Sequence, residues 1–100
     1  TDGGGASDGI VDYGELKTIV DNYYGRNSNV AFSFQDNDTI DIDNQSELTH
    51  FFTKNDNGNI TLTNQNVTVD SGLAISVANA RTIASSTEGT VTATIKTSEL

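Results

Sequence analysis

The sequence predicts a mixed α/β fold, rich in short strands, in which about three strand–helix–strand units make a two-layer repeat module. Three observations predict it. Segments with period-two alternation of apolar and polar residues are interleaved with stretches of helical spacing. Matching residue types recur about 30 positions apart. The chain is 100 residues long and 34% apolar, with no Cys, Met, Pro or Trp, which suits one small domain with a modest core.

The elements follow in order along the chain. A helix is expected over about Tyr13 to Tyr24, where Leu16, Ile19, Val20 and Tyr23 form one apolar stripe. Strands are expected at Val30-Ala31-Phe32-Ser33-Phe34 and at Thr39 to Asp43. A short second helix starts with Ser46 as its cap, carries Leu48, Phe51 and Phe52, and ends before Gly58. Ile60 to Thr63 and Val67-Thr68-Val69 alternate as strands do. Ser76 caps a third helix carrying Val77, Ala80, Ile83 and Ala84, which stops before Gly89. From Thr90 to Lys96 one strand is expected, with Val91, Ala93 and Ile95 on one face and Thr92 and Thr94 on the other. Thr97-Ser98-Glu99-Leu100 reads as the opening of a further helix, echoing Ser46-Glu47-Leu48.

These pieces align into units at about 6–35, 36–64 and 65–96 within a single module spanning 1–100. An apolar-Asp step (Val11-Asp12, Ile42-Asp43, Val69-Asp70) precedes each helix, and Glu15-Leu16 and Glu47-Leu48 open two of them. A unit of this length fits a crossover between parallel strands, with helices on a sheet face. Strands fully covered on both faces would read as unbroken apolar runs, and these alternate, so one face is expected to stay polar. The alternative for one segment is an antiparallel hairpin of Ile60-Leu62 and Val67-Val69 around Asn64-Gln65-Asn66.

Composition narrows the partners. Fourteen acids against five bases give a formal charge of −9, which repels phosphate backbones and argues against nucleic acid. No run of 18 apolar residues exists to insert into a membrane. The absence of Cys excludes disulfides, thiolate metal sites and thiol nucleophiles. A Thr/Asn/Asp-rich, Lys-poor, acidic composition leads us to expect an extracellular or cell-surface location in a bacterium. The chain does not begin with Met, and a processed chain or a piece of a longer one is expected.

Leu73-Ala74-Ile75-Ser76-Val77-Ala78-Asn79-Ala80-Arg81-Thr82-Ile83-Ala84, followed by Gly89-Thr90-Val91-Thr92-Ala93-Thr94-Ile95, resembles tandem β/α repeat modules in very large secreted adhesin-like and surface proteins of marine bacteria and cyanobacteria. Those modules repeat a helix of the form I-T/S-V-A-x-A-x-x-I/L and a strand of the form T-T-G-x-V-T-A-T-I. The resemblance is best over residues 67–96, holds only in pattern over 36–64, and fails over the first thirty. It implies an adhesin-like or surface-coat role, commonly with calcium, and defines no functional residues to carry over.

Two stretches carry metal-ligand chemistry. Asp8-Gly9-Ile10-Val11-Asp12-Tyr13-Gly14-Glu15 reads as the back half of an EF-hand loop, with Asp8, Asp12 and Glu15 as calcium ligands around a turning Gly. Gly4 and Ala6 would occupy the first and third ligand positions and have no side-chain oxygen, and a dockerin resemblance fails on the same acids. The plainer reading is a capped helix start with Asp12 at the positive end of the helix dipole. In the second stretch, Asp41 and Asp43 share a strand face, and Asp36 and Asp38 could meet them from the preceding turn. Four carboxylates this close repel unless a Ca2+ ion or water intervenes; otherwise they form a solvated polar face. Asn55-Asp56-Asn57-Gly58-Asn59 reads most simply as a helix-ending turn.

No catalytic residues stand out. His50, the only imidazole, has no triad spacing around it and reads as a packed or surface histidine. Thr61, Thr63, Thr68, Thr92 and Thr94 form an outward stripe that suits exposed strands, or a face packing on a neighbouring module or ordering water. Tyr23 and Tyr24 either close the first helix's stripe or offer a sugar-stacking platform. The expected function is therefore a non-catalytic structural or adhesive module of a bacterial surface protein or filament. Its partners would be neighbouring modules or identical subunits, or a cell-surface or matrix ligand. The alternative is a calcium-dependent module recognising a protein or glycan.

Overall fold

The computed structural model describes residues 10–99. It is a mixed α/β fold built on a parallel sheet with three helices. β1 (Ile10–Asp12) leads directly into α1 (Tyr13–Tyr24), β2 (Thr39–Ile42) precedes α2 (Gln45–Asp56), and β3 (Asn66–Val69) is followed by β4 (Ala74–Ile75) and α3 (Val77–Ser86). The last strands are β5 (Val91–Thr92) and β6 (Thr94–Ile95), followed by a 3-10 turn at Thr97–Glu99. The main sheet has the order β1-β2-β3-β5, every neighbour parallel, so successive crossovers step the same way across it. β4 and β6 form a second, two-stranded parallel sheet.

The pairing register explains the alternation. Val11, Ile40, Val67 and Val91 are cross-strand partners in one inward row, and Ile42 pairs with Val69 in a second. All of these except the half-buried Val91 are buried, and α1 adds Tyr13, Leu16 and Val20, α2 adds Leu48 and Phe51, and α3 adds Ile83 to one continuous core. One inward row is thus supplied by residues 24 to 29 positions apart in sequence. The outward row reads Asp12, Asp41, Thr68, Thr92.

Each helix start has a local cause. Asp12 caps α1, its Oδ1 accepting from Gly14 N at 2.9 Å, and Ser76 caps α3 by accepting from Asn79 N at 3.1 Å. The cap of α2 is Asn44, two residues before the expected Ser46. Asn44 Oδ1 accepts from Glu47 N at 3.0 Å while Glu47 Oε1 accepts from Asp43 N at 2.9 Å. Only a cap three residues ahead of Glu47 closes that reciprocal pair, which is why Asn44 prevails over Ser46. At the other end Gly58 takes φ +82°, the left-handed position of the turn after α2.

Several expected strands are shorter or paired otherwise. Val30–Phe34 and Ile60–Thr63 reduce to one parallel bridge between Phe32 and Ile60. The Ile60–Val69 hairpin does not form: Val67–Val69 pairs in parallel with β2, and its Val67–Thr68 also with β5. Gln65 blocks the hairpin. Its side chain is buried, its amide donates to the Phe34 and Gln35 carbonyls (3.1 and 3.0 Å), and its Oε1 accepts from Thr63 N (2.7 Å). These bonds tie the 63–65 loop to the preceding unit instead of to its own continuation. The Thr90–Lys96 strand breaks at Ala93, because its first half pairs with β3 and its second with β4.

Candidate functional site

The exposed side of the sheet gathers acids that lie far apart in sequence. Asp12 and Asp41 are direct cross-strand partners, at the ~4.8 Å spacing of neighbouring strands. Asp41 is partly buried, and its carboxyl lies above the usual carboxylate range. Loss of water contact is the main cause, followed by the charges of Asp43, Asp12, Asp70 and Glu47. Three of these neighbours are held by backbone donors: Asp12 by Gly14 N, Asp70 by Gly72 N at 3.1 Å and Glu47 by Asp43 N at 2.9 Å. The partial positive charge of the α1 N-terminus thereby offsets part of the repulsion. Farther along the row Thr68 and Thr92 pair across β3 and β5, so the face grades from acid to hydroxyl.

The expected metal ligands are distributed as follows. Asp8 lies outside the described residues. Asp12 is the α1 cap and Glu15 is exposed on its first turn. Asp41 and Asp43 do approach one another, but the acids completing their surroundings are Asp12, Asp70 and Glu47, with no contribution from Asp36 or Asp38. Asp36 is exposed in the preceding turn, whereas Asp38 is buried there, its backbone joined to Gln35 and Asn66. Among the described residues no group of three or more acids or histidines is close enough to hold a metal ion. The apolar-Asp step was the one sequence signal for the cluster, since it places Asp12 beside the sheet and Asp70 one residue past β3.

A second polar constellation escaped the sequence reading. Tyr13, fully buried, shares a 2.7 Å hydrogen bond between its hydroxyl and His50 Nδ1, and His50 Nε2 lies 2.7 Å from Asp21 Oδ1. Tyr13 and His50 also meet edge to face, with ring centroids 5.5 Å apart. Burial, then the charges of Asp21 and Glu47, push the Tyr13 phenol far above its ordinary value. Partial burial raises the Asp21 carboxyl, but the hydrogen bond and charge of His50 and the nearby Lys17 outweigh it and leave it below the usual range. A proton can be held along this line, yet the phenol at its inner end is sealed from solvent. The line locks α1 to α2, and no substrate atom can reach the Tyr13 oxygen. Residues at i and i+29 or i+37 meet only once the two helices pack side by side, so no spacing rule announces them.

Neighbouring contacts extend the same helix–helix seam. Lys54 Nζ lies 3.3 Å from the Tyr24 ring centroid, a cation–π contact that offsets part of the cost of burying this lysine. Tyr23 is half exposed and packs edge to face on Phe32, with the Arg26 guanidinium 5.9 Å from its ring centroid. The two tyrosines therefore point to different partners and form no common platform. Between α2 and α3 a shallow, open depression is lined by Phe52, Thr53, Asp56, Asn57 and Thr82. No helix among the described residues is long and apolar enough to cross a membrane. Compared with protein families, with curated proteins and with solved structures, the chain finds no match in any of the three.

Proposed function

We propose that the chain is a non-catalytic structural or adhesive module of a bacterial surface protein or filament, working outside the cell beside neighbouring modules or identical subunits. The observation that carries this reading is the in-register stacking of parallel strands. Each unit adds one apolar position to a shared core and one polar position to a continuous outer row. Such a scaffold grows by repetition, its units contacting chiefly their neighbours. Its acidic, hydroxyl-rich face and the Thr/Asn/Asp-rich composition suit a solvated, extracellular surface. Two measurements test the reading together. Antibody against the chain should label intact, unpermeabilised cells, and the purified chain should turn over no panel of glycosides, esters or peptides. Label confined to permeabilised cells, or measurable hydrolysis, would refute it.

The cross-strand pairing of Asp12 with Asp41 favours a second reading, a calcium-dependent module recognising a protein or glycan. Calcium binding only the native state at 100 times its dissociation constant adds about 2.7 kcal/mol, or about 11–22 °C in melting temperature at this size. An unchanged melting temperature between calcium and chelator removes that reading.

A further inference from the structure

We propose that Asn57-Gly58 is a site of spontaneous covalent modification, at which the folded chain loses ammonia and acquires an isoaspartyl linkage. It rests on neither functional reading. The chain holds eleven asparagines, and Asn57 alone is followed by glycine. A side chain on the following residue shields its backbone nitrogen, and glycine has none.

Apart from water, the chemistry is internal to the chain. The Gly58 backbone nitrogen gives up its proton to solvent base and attacks Asn57 Cγ, closing a five-membered imide. The bond from Cγ to the side-chain nitrogen breaks, and that nitrogen leaves as ammonia with a proton from water. Water then opens the imide at either carbonyl. Opening at Cγ gives aspartate in an ordinary backbone; opening at the main-chain carbon gives isoaspartate, with the backbone routed through Cγ. The net change exchanges an amide and a water for a carboxylic acid and an ammonia, with no oxidation.

The turn after α2 leaves this attack little opposed. Asn57 and Gly58 are both exposed, and among the described residues the Asn57 side-chain amide has no hydrogen-bond partner. The Gly58 N–H is held by one bond, to the Asn55 carbonyl at 3.2 Å, the long limit for such bonds. With Asn57 at ψ −8°, the peptide plane between the two residues must turn before the nitrogen meets Cγ. That rotation changes ψ of Asn57 and φ of Gly58 in opposite senses and leaves the chain on either side in place. Gly58 starts at φ +82° with open space beside its α-carbon, and the φ values beyond it are open to glycine. The other asparagines are better guarded. Asn27, followed by Ser28, has its side-chain oxygen occupied by Asn29 N at 3.0 Å; Asn59 is buried and Asn79 lies within α3.

The consequence follows from what hangs on the turn. The buried Asn59 amide donates to the Ser28 and Val30 carbonyls at 3.0 and 2.7 Å. Phe32 N donates to the Asn59 carbonyl at 2.7 Å, and Thr61 N to the Phe32 carbonyl at 2.9 Å. Isoaspartate lengthens the backbone just ahead of Asn59 by one carbon and pulls this clasp between 28–32 and 59–61 out of register. The new carboxylate also stands beside Asp56 at the negative end of the α2 dipole. Modified chains are therefore less stable.

The intact chain, incubated in mildly alkaline buffer and followed by mass spectrometry of its fragments and enzymatic methylation of isoaspartate, tests this. Asn57 should gain one dalton and the isoaspartate label before any other asparagine changes, and the melting temperature should fall in step. Gly58→Ala should slow the gain by about tenfold or more, equivalent to about 1.4 kcal/mol on the barrier. Because that variant also strains the turn, Asn57→Gln supplies a second arm. Its longer side chain must close a larger ring, so its mass and melting temperature should hold steady through the incubation. Freshly made Asn57→Asp carries the charge without the extra carbon and should melt above the aged wild type. Conversion of another asparagine ahead of Asn57, conversion of Asn57 only once urea unfolds the chain, or a converted chain as stable as the fresh one overturns the proposal.

Discussion

Gly89→Ala should be among the most damaging single-atom additions to this protein. Gly89 sits in the turn that returns the chain from α3 to β5, pressed on the loop before β3. A Cβ at this position would lie 2.6 Å from the Asn64 carbonyl oxygen and closer still to that of Gln65, where about 3.4 Å is ordinary contact. Both obstacles are backbone and neither can rotate away, so the turn must back off by about 0.8 Å or more. The turn is held by hydrogen bonds that such a shift stretches. Thr87 Oγ1 donates to the Gln65 carbonyl (2.5 Å), Glu88 N to the Thr63 carbonyl (2.7 Å) and Thr90 N to Asn66 Oδ1 (2.9 Å). Losing two of them at about 1 kcal/mol each, with about 1 kcal/mol of overpacking strain, comes to about 3 kcal/mol. For 100 residues that corresponds to about 12–24 °C in melting temperature. Urea unfolding should show a lower midpoint at unchanged slope. Gly58→Ala is the control: its left-handed φ is strained for alanine, but nothing lies within 4 Å of the added carbon, so about 1 kcal/mol is expected. If Gly89→Ala costs no more than Gly58→Ala, the close approach of the two loops is wrong.

Gln65→Leu keeps the volume but strands the Phe34 and Gln35 carbonyls and Thr63 N, and should cost about 2–4 kcal/mol by the same urea measurement. His50→Ala leaves the buried Tyr13 hydroxyl without its bond, a loss of about 1–3 kcal/mol; in a double-mutant cycle with Tyr13→Phe the two effects should be clearly less than additive, and strict additivity would disprove the coupling. Asp41→Asn should stabilise at neutral pH by about 0.5 kcal/mol. Because the folded-state Asp41 carboxyl is raised, the native state holds its proton more tightly, so the penalty is present above that value and disappears on acidification; the gain in melting temperature should therefore shrink toward pH 3. Asp21 has the opposite sign. Its carboxyl is lowered in the folded state, so its contribution is present above the unfolded value near 3.8 and is lost as pH falls through the lower folded one. Asp21→Asn should then destabilise at neutral pH and make little difference in strong acid, as thermal melts across that range will show.

The helices were the most legible part of the fold, for a local reason. The α1 bounds, Tyr13–Tyr24, follow from a cap at Asp12 and a stripe in which Leu16 and Val20 stand four positions apart. For α2 two neighbouring caps competed, and the side chain three residues beyond Asn44 decided between them. Strands were less legible because alternation reports a half-buried extended segment without naming its neighbour. Phe32 and Ile60 alternate as well as Ile40 and Ile42 do, yet only the latter lie where both sides of the ladder can pair. The acids around Asp41 were visible one at a time as apolar-Asp steps, but their meeting depends on register.

The sequence by itself determined the class of fold, the capped helices α1 and α3, and the alternation that sends apolar residues inward and acids and threonines outward. All of these depend on residues within a few positions of one another, where backbone geometry fixes which side chains share a face. Tertiary structure alone decided that Val67–Val69 pairs in parallel with its sheet neighbours and not as a hairpin, that Asp12 faces Asp41, and that Tyr13, His50 and Asp21 form one line. It also decided that Gly89 must lack a side chain. Each of these is set by contacts between segments 24 or more residues apart, whose register is chosen by the packing of one shared core and by no local pattern.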